Sequence, residues 1–205
     1  MNIVNIENTF PTPVGTFEFE NSESLNEGLC EFLYSVRDED IRSGNNQRSM
    51  SGRNGYHTKE DLFLRDNYYI KEFHKLISSV VLDYYSRICK NEIGDNSTMV
   101  SWGMIYGPGS YSRVHTHPGV DISTSYYCKV PDDLTGKDGF FNFLDPRPSA
   151  RWDRNFDFSP GMIEPKAGCG AIFPSWLDHF VNPHFSDGDR ICIATNIFID
   201  KTNDY

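Results

Sequence analysis

His115 and His117 stand one residue apart in the run Val-His-Thr-His-Pro-Gly-Val-Asp, from Val114 to Asp121. On a strand, positions i and i+2 point to one face, so both rings reach the same place. About sixty residues later, Ile172-Phe-Pro-Ser-Trp-Leu-Asp-His179 supplies a third imidazole, and Arg190 opens the apolar run that ends at Asn196. Imidazole suits borderline divalent ions such as iron, zinc and copper. A guanidinium buried on an apolar strand needs an anion, and a planar carboxylate matches its fork. Two close ligands, one distant ligand and a later arginine are the parts of a mononuclear metal site that also takes a carboxylate. 2-Oxoglutarate would meet that demand, one end chelating the metal while its distal carboxylate reaches Arg190.

The ligand set has two readings. A non-haem iron site commonly presents two histidines and one carboxylate on one face, the carboxylate lying two residues past the first histidine. His117 occupies that position here, which gives a three-histidine set of His115, His117 and His179. Asp121 offers the alternative, if Pro118-Gly119 turns the chain back and one of the close histidines stands behind the metal. Strand parity favours His117. Taken singly, His57, His74 and His184 read as ordinary packed or surface histidines.

Several residues could complete the pocket. Tyr106, Tyr111, Tyr126 and Tyr127 lie on or beside the metal-bearing strands, and any hydroxyl there could bond a cosubstrate carboxylate. Tyr126 and Tyr127 cannot both face inward on a regular strand. Asn196 shares the parity of Arg190 and could orient a ligand. Trp176 reads as a packing residue that positions His179, and Asp178 as a group behind the metal if its segment bends.

The elements that must hold these residues are mostly strands. From Thr98 onward, short apolar runs are separated by Pro, Gly and Asp: 99–106, 112–117, 122–130, 139–143, 161–163, 170–173, 180–183 and 190–198. Eight such runs leave no room for crossover helices, which predicts an antiparallel barrel or sandwich. Before them, 14–19 reads as a strand. Ser24–Val36 reads as a helix capped by Ser22 or Ser24, with Leu25, Leu29, Phe32 and Leu33 on one face. Residues 38–60 are polar and read as a loop. Ile70–Ile88 is the clearest helix, with Phe73, Leu76, Ile77, Val80, Val81 and Tyr84 at helical spacing and a stop at 91–96. The helices are expected on the outside of one sheet.

The 205 residues favour a single domain, 1–97 holding the first strand and helices and 98–200 the barrel core. Nineteen basic against twenty-nine acidic residues give a net charge of −10, a surface that repels phosphate backbones, so no nucleic-acid partner is expected. Arg147, Arg151 and Arg154 with Trp152 read as a solvated loop. Five scattered cysteines form no close pair and fit a reducing compartment. No basic-then-apolar leader and no run of eighteen apolar residues is seen, so a cytoplasmic location without a membrane span is expected.

The order of these segments resembles the 2-oxoglutarate/Fe(II)-dependent oxygenase family, related at greater distance to prolyl hydroxylases. The matching segments are Phe10-Pro-Thr-Pro-Val14; Ser51-Gly-Arg-Asn-Gly-Tyr-His-Thr58 with Asp61-Leu62; 111–121; 123–130; 139–143 with Asp145-Pro146; 170–179; and 190–196. The resemblance implies a double-stranded β-helix (a cupin-like jelly roll), Fe(II), 2-oxoglutarate and dioxygen. It puts the metal on His115, His117 and His179 and the cosubstrate on Arg190, and implies hydroxylation of a small molecule or a peptidyl side chain. His117 departs from the usual carboxylate.

Two further readings stand beside it. One is another mononuclear-metal cupin-like enzyme, with Arg190 binding its substrate's own carboxylate. The other is a non-catalytic jelly-roll binding or structural module. The loop 42–57 and the segment 146–160 are the expected lids or substrate rims, and a homodimer would be ordinary.

Overall fold

A computed structural model describes residues 10–45, 51–89, 92–147 and 161–200. The elements run β1 (Gly15–Glu18), α1 (Glu23–Ser43), β2 (Gly52–Arg53), β3 (Tyr56–His57), a 3-10 turn (Leu62–Leu64) and α2 (Tyr68–Ile88). Then follow β4 (Thr98–Tyr106), β5 (Tyr111–His115), β6 (Ile122–Lys129), β7 (Phe141–Phe143), β8 (Gly161–Ile163), β9 (Cys169–Pro174), β10 (His179–Val181) and β11 (Arg190–Phe198).

Two antiparallel sheets face each other. One has the order β1-β9-β6-β11-β4-β3 and the other β2-β5-β10-β7-β8. The eight strands from β4 to β11 therefore divide as β9-β6-β11-β4 opposite β5-β10-β7-β8, the strand order of a double-stranded β-helix. The eight expected runs each hold one of these strands.

Period-two alternation divides the six-stranded sheet into two faces. On the outer face, Ile105, Tyr126, Cys128, Ile191 and Ile193 pack against Leu29 and Leu33 of α1 and Phe73 and Ile77 of α2. Val81 and Tyr84 extend this layer over Ile122, Ile172 and Ile197. Gly103 lets α1 approach β4, since a Cβ there would lie 2.3 Å from Leu33 Cδ2. The inner face carries the other parity and, with Phe141, Phe173 and Val181, surrounds the barrel interior.

Three boundaries differ from the sequence expectation. Helix α1 runs to Ser43 rather than Val36, because its last turns are polar and leave the core, so the apolar period fades before the helix does. Ile41 is 55% exposed, and Gly44 in the left-handed region (φ 74°) ends the helix. Ser22 occupies the N-cap without a side-chain cap bond; its hydroxyl instead accepts from Asn26 Nδ2. Helix α2 starts at Tyr68, capped by Asn67, whose side chain accepts from the Tyr69 and Ile70 amides. Its Leu76, expected in the core, is 39% exposed, and α2 ends at Cys89. Finally, the polar stretch 38–60 is not all loop. Strand β2 joins β5 in one sheet and β3 joins β4 in the other, so this short segment bridges the two sheets.

Candidate metal and anion site

Strand pairing builds the site. His179 opens β10 and lies directly opposite His115, the last residue of β5. His117 is two residues beyond the end of β5, where its amide donates to the Ser175 carbonyl, so this bond to the turn before β10 sets its place beside the other rings. The ligating nitrogens of His115, His117 and His179 all lie within 4.8 Å of one another. His117 Nε2 and His179 Nε2 are 3.3 Å apart. Two ligands about 2.1 Å from one ion at a right angle would be separated by roughly 3.0 Å.

Backbone carbonyls fix the ring orientation. His115 Nδ1 donates to Arg113 O at 2.7 Å, and His179 Nδ1 donates to Leu177 O at 2.8 Å. With the proton held on Nδ1, each Nε2 is left with its lone pair, the form a metal takes. Aromatic walls hold the rings further. Phe141 stacks on His179 at 5.3 Å and 8°, Phe173 meets it edge-on at 4.8 Å, and Trp102 stacks on His117 at 5.8 Å.

All three imidazoles are kept neutral. Burial, then the neighbouring His115, pushes His117 down to about 4 and His179 to about 3, and burial lowers His115 as well. The chemistry of the donor set therefore fits a divalent transition metal at neutral pH.

The three histidines and Arg190 line one cavity of about 1030 Å³. Among the described residues Arg190, 1% exposed, is the largest fully buried side chain, yet its Nε and Nη1 have no hydrogen-bond acceptor there. Among the described residues no carboxylate lies within ion-pair distance of it. Rings hold it instead: its guanidinium lies 5.1 Å from the Tyr106 ring centroid and 5.6 Å from that of Tyr127. Among the described residues the Tyr127 hydroxyl, too, is buried without a well-formed hydrogen bond. Such a group calls for an anion.

Space for one comes from small inward residues. Reading across the sheet from Arg190 towards the histidines, Cys192 pairs with Met104 and Tyr127, and Ala194 pairs with Trp102 and Ser125. Cys192, Ala194 and Ser125 line the cavity with short side chains.

The other expected site residues are placed as follows. Asn196 lines the cavity, its Oδ1 accepting from Ser123 Oγ at 2.9 Å. Tyr127 turns inward, whereas Tyr126 turns out beneath the helices, its hydroxyl donating to Asn26 Oδ1. Tyr111 is not brought to the cavity. Ser112 takes the buried position on β5, and its neighbour Tyr111, of opposite parity, is 36% exposed.

Asp121 lies outside the three-histidine group. Its Oδ2 accepts from the Ile199 amide at 2.9 Å, tying down the end of β11. Trp176 does not pack as expected. Ser175 and Leu177 take the buried positions of the turn before β10 and leave Trp176 54% exposed, so Phe141 and Phe173 do the packing on His179. Asp178 is half-buried, and the Nδ1 partner of His179 is the Leu177 carbonyl. Of the arginine-rich segment, Arg147 bonds Asp145, while Arg151, Trp152, Arg154 and the rest of 148–160 lie outside the described residues.

Trp102, Phe141 and Phe173 were not singled out from sequence, and His57 read as an ordinary histidine. Trp102 shares the parity of Tyr106 on β4, the one signal that pointed to it. No helix among the described residues is long and apolar enough to cross a membrane.

Comparison with known proteins agrees with this architecture. Residues 100–196 match the family described as "Putative 2OG-Fe(II) oxygenase". The fold is similar to a Pseudomonas putida prolyl-4-hydroxylase, 14% identical over 91% of this chain and 92% of that one, with a TM-score of 0.64. It is also similar to a viral collagen prolyl hydroxylase from Paramecium Bursaria Chlorella virus-1 in complex with 2OG, 16% identical over 90% and 94%, with a TM-score of 0.61. A third is HygX from Streptomyces hygroscopicus with nickel and 2-oxoglutarate bound, 12% identical over 91% and 83%, with a TM-score of 0.58. No curated protein matches the chain.

Proposed function

We propose, from the match of residues 100–196 to the 2OG-Fe(II) oxygenase family and the fold shared with a prolyl-4-hydroxylase, that the chain is an Fe(II)- and 2-oxoglutarate-dependent dioxygenase. In this reading residues 1–205 are one oxygenase domain, working in the reducing cytoplasm on a small molecule or a peptidyl side chain. The observation that carries it is Arg190, a buried guanidinium without a carboxylate partner on the wall of the cavity that holds the three histidines.

In this reading His115, His117 and His179 hold the iron through Nε2. The Arg113 and Leu177 carbonyls keep the Nδ1 protons in place. Arg190 takes the distal carboxylate of 2-oxoglutarate, its fork matching that group, and Tyr127, whose ring lies 5.6 Å from the guanidinium, would add its hydroxyl as a second donor. Phe141, Phe173 and Trp102 exclude water around the ligands. Bound iron and 2-oxoglutarate together supply oxygen activation and C–H hydroxylation, with succinate and carbon dioxide as by-products.

Replacing the usual carboxylate with His117 leaves no negative charge among the protein ligands. The dianionic cosubstrate would then supply all the charge that offsets the ion. Anaerobic titration of the Fe(II)-loaded protein with 2-oxoglutarate tests the reading. A weak visible charge-transfer band should grow with the cosubstrate, and zinc or a substrate-derived carboxylate should not produce it.

A further inference from the structure

The buried guanidinium of Arg190 raises a mechanical question. With no acceptor on Nε or Nη1, hydrogen bonds from these groups to the protein do not set its orientation. The rings of Tyr106 and Tyr127 do so. Among the described residues the Tyr127 hydroxyl makes no well-formed hydrogen bond, so that ring is held less firmly at its tip. Tyr106 is anchored. Its hydroxyl lies 3.0 Å from His57 Nε2 and 3.0 Å from Ser112 Oγ, and its ring is fully buried.

The segment 51–58 grips the same ring a second way. Strands β2 and β3 belong to opposite sheets and are joined through Asn54 (φ 59°) and Gly55. A Cβ on Gly55 would lie 2.4 Å from Tyr106 Cδ1, so only glycine lets this backbone rest on the ring. Ser110 Oγ donates to Asn54 O and the Arg113 amide to Ser51 O, holding the bridge to the next strand. His57 is itself 8% exposed and lines the cavity.

We propose that His57 is a positioning residue for the anion-binding end of the cavity: it ties down the Tyr106 hydroxyl, and the Tyr106 ring in turn keeps the Arg190 guanidinium aimed into the cavity. Its consequence for cosubstrate binding rests on the reading of Arg190 as the carboxylate anchor. The bridge between the sheets thus does more than close an edge, because it stiffens the anion-binding end of the cavity whose wall it helps to form.

Two readouts test this separately. The first needs no cosubstrate. The Arg190 Nε–H signal is followed by NMR in the metal-free protein, assigned by its absence in R190K. His57→Phe keeps a ring of similar volume but no hydrogen bond, and Tyr106→Phe removes that bond together with the one to Ser112. H57F should speed exchange of the Arg190 Nε proton by about tenfold, the factor expected from one lost hydrogen bond, Y106F by at least as much, and the double variant should add little beyond Y106F. His57→Gln, which can still bond the hydroxyl, should stay within about twofold of the unaltered protein. Unchanged exchange in a folded H57F protein, or equal loss in H57Q and H57F, would overturn the proposal.

The second readout is anaerobic 2-oxoglutarate titration of the Fe(II)-loaded proteins. H57F should weaken the cosubstrate by about tenfold without altering iron affinity. Unaltered protein that fails to bind 2-oxoglutarate removes the carboxylate-anchor reading, while the exchange data still decide whether His57 positions Arg190.

Discussion

His115 and His179 are cross-strand partners whose rings lie 4.2 Å apart, and each donates its Nδ1 proton to the carbonyl two residues before it. The same local bond, to Arg113 on β5 and to Leu177 in the turn before β10, sets the same tautomer twice. His115 and His179 thus present matched Nε2 donors to one point, and His117 joins them from just beyond the end of β5.

The ligand set can be read by substitution. H179A and H117A should each weaken Fe(II) by more than about 100-fold, beyond the 10–100-fold typical of losing a group behind the ligands. D121N should keep the metal and lower stability by about 1 kcal/mol, since it weakens the acceptor for the Ile199 amide. Equilibrium dialysis with Fe(II), paired with urea unfolding, measures both. Iron loss in D121N with retention in H117A would reverse the assignment.

Arg190 should trade stability for binding. A lone buried guanidinium costs the free protein, so R190M, similar in length and apolar, should raise stability by about 1–4 kcal/mol. The same change should abolish measurable 2-oxoglutarate binding and leave Fe(II) affinity unaltered. R190K should bind 2-oxoglutarate poorly, because an ammonium lacks the planar fork. A destabilised R190M protein would show that Arg190 already has a counter-charge in the free state.

Acid should destabilise the metal-free protein in a defined window. His57 and His117 are held down to about 4 and His179 to about 3, each chiefly by burial. The unfolded chain, with histidines near 6.5, takes up protons first, so stability is full above about 6.5 and falls as pH drops towards the folded values. The expected loss is about 1–2 kcal/mol per histidine by pH 5. Urea midpoints between pH 7.5 and 5 measure it, and H57F should give a shallower fall. A flat profile over that range would contradict the neutral buried imidazoles.

The contact between α1 and β4 makes a test of the scaffold. Gly103→Ala would place a Cβ against Leu33, and the overpacking should cost about 1–3 kcal/mol. Pairing it with L33A should recover part of that loss relative to the sum of the single changes, as a double-mutant cycle in urea would show.

Much of the barrel was legible because strand parity is written in the residues. The alternation on β4 and β11 separates Ile105, Ile191 and Ile193 on the helix face from Tyr106, Arg190 and Asn196 on the cavity face. The three histidines could be named from spacing and type. The parity of Trp102 and the role of Phe141 and Phe173 needed the register between strands, which no local pattern encodes. Trp176 misled because a large aromatic beside a candidate ligand suggests packing, whereas the turn at 174–177 hands the buried positions to Ser175 and Leu177. Tyr111 misled in the same way, since a hydroxyl near the metal strand says nothing of its face. The last turns of α1 were invisible because they face solvent, where the helical period is not written in apolar residues. His57 looked ordinary by itself, and its bond to Tyr106 arises only when a segment forty-nine residues away is laid across the sheets.

One titration reaches the central claim directly. Fe(II)-loaded protein, kept free of oxygen, is titrated with 2-oxoglutarate while the visible spectrum and the heat of binding are followed. The account predicts a saturable charge-transfer band, lost in H179A with the iron and lost in R190M with the iron retained. Protein that binds iron through its three histidines but shows neither band nor heat with 2-oxoglutarate would contradict it, and would turn Arg190 into the anchor of some other carboxylate.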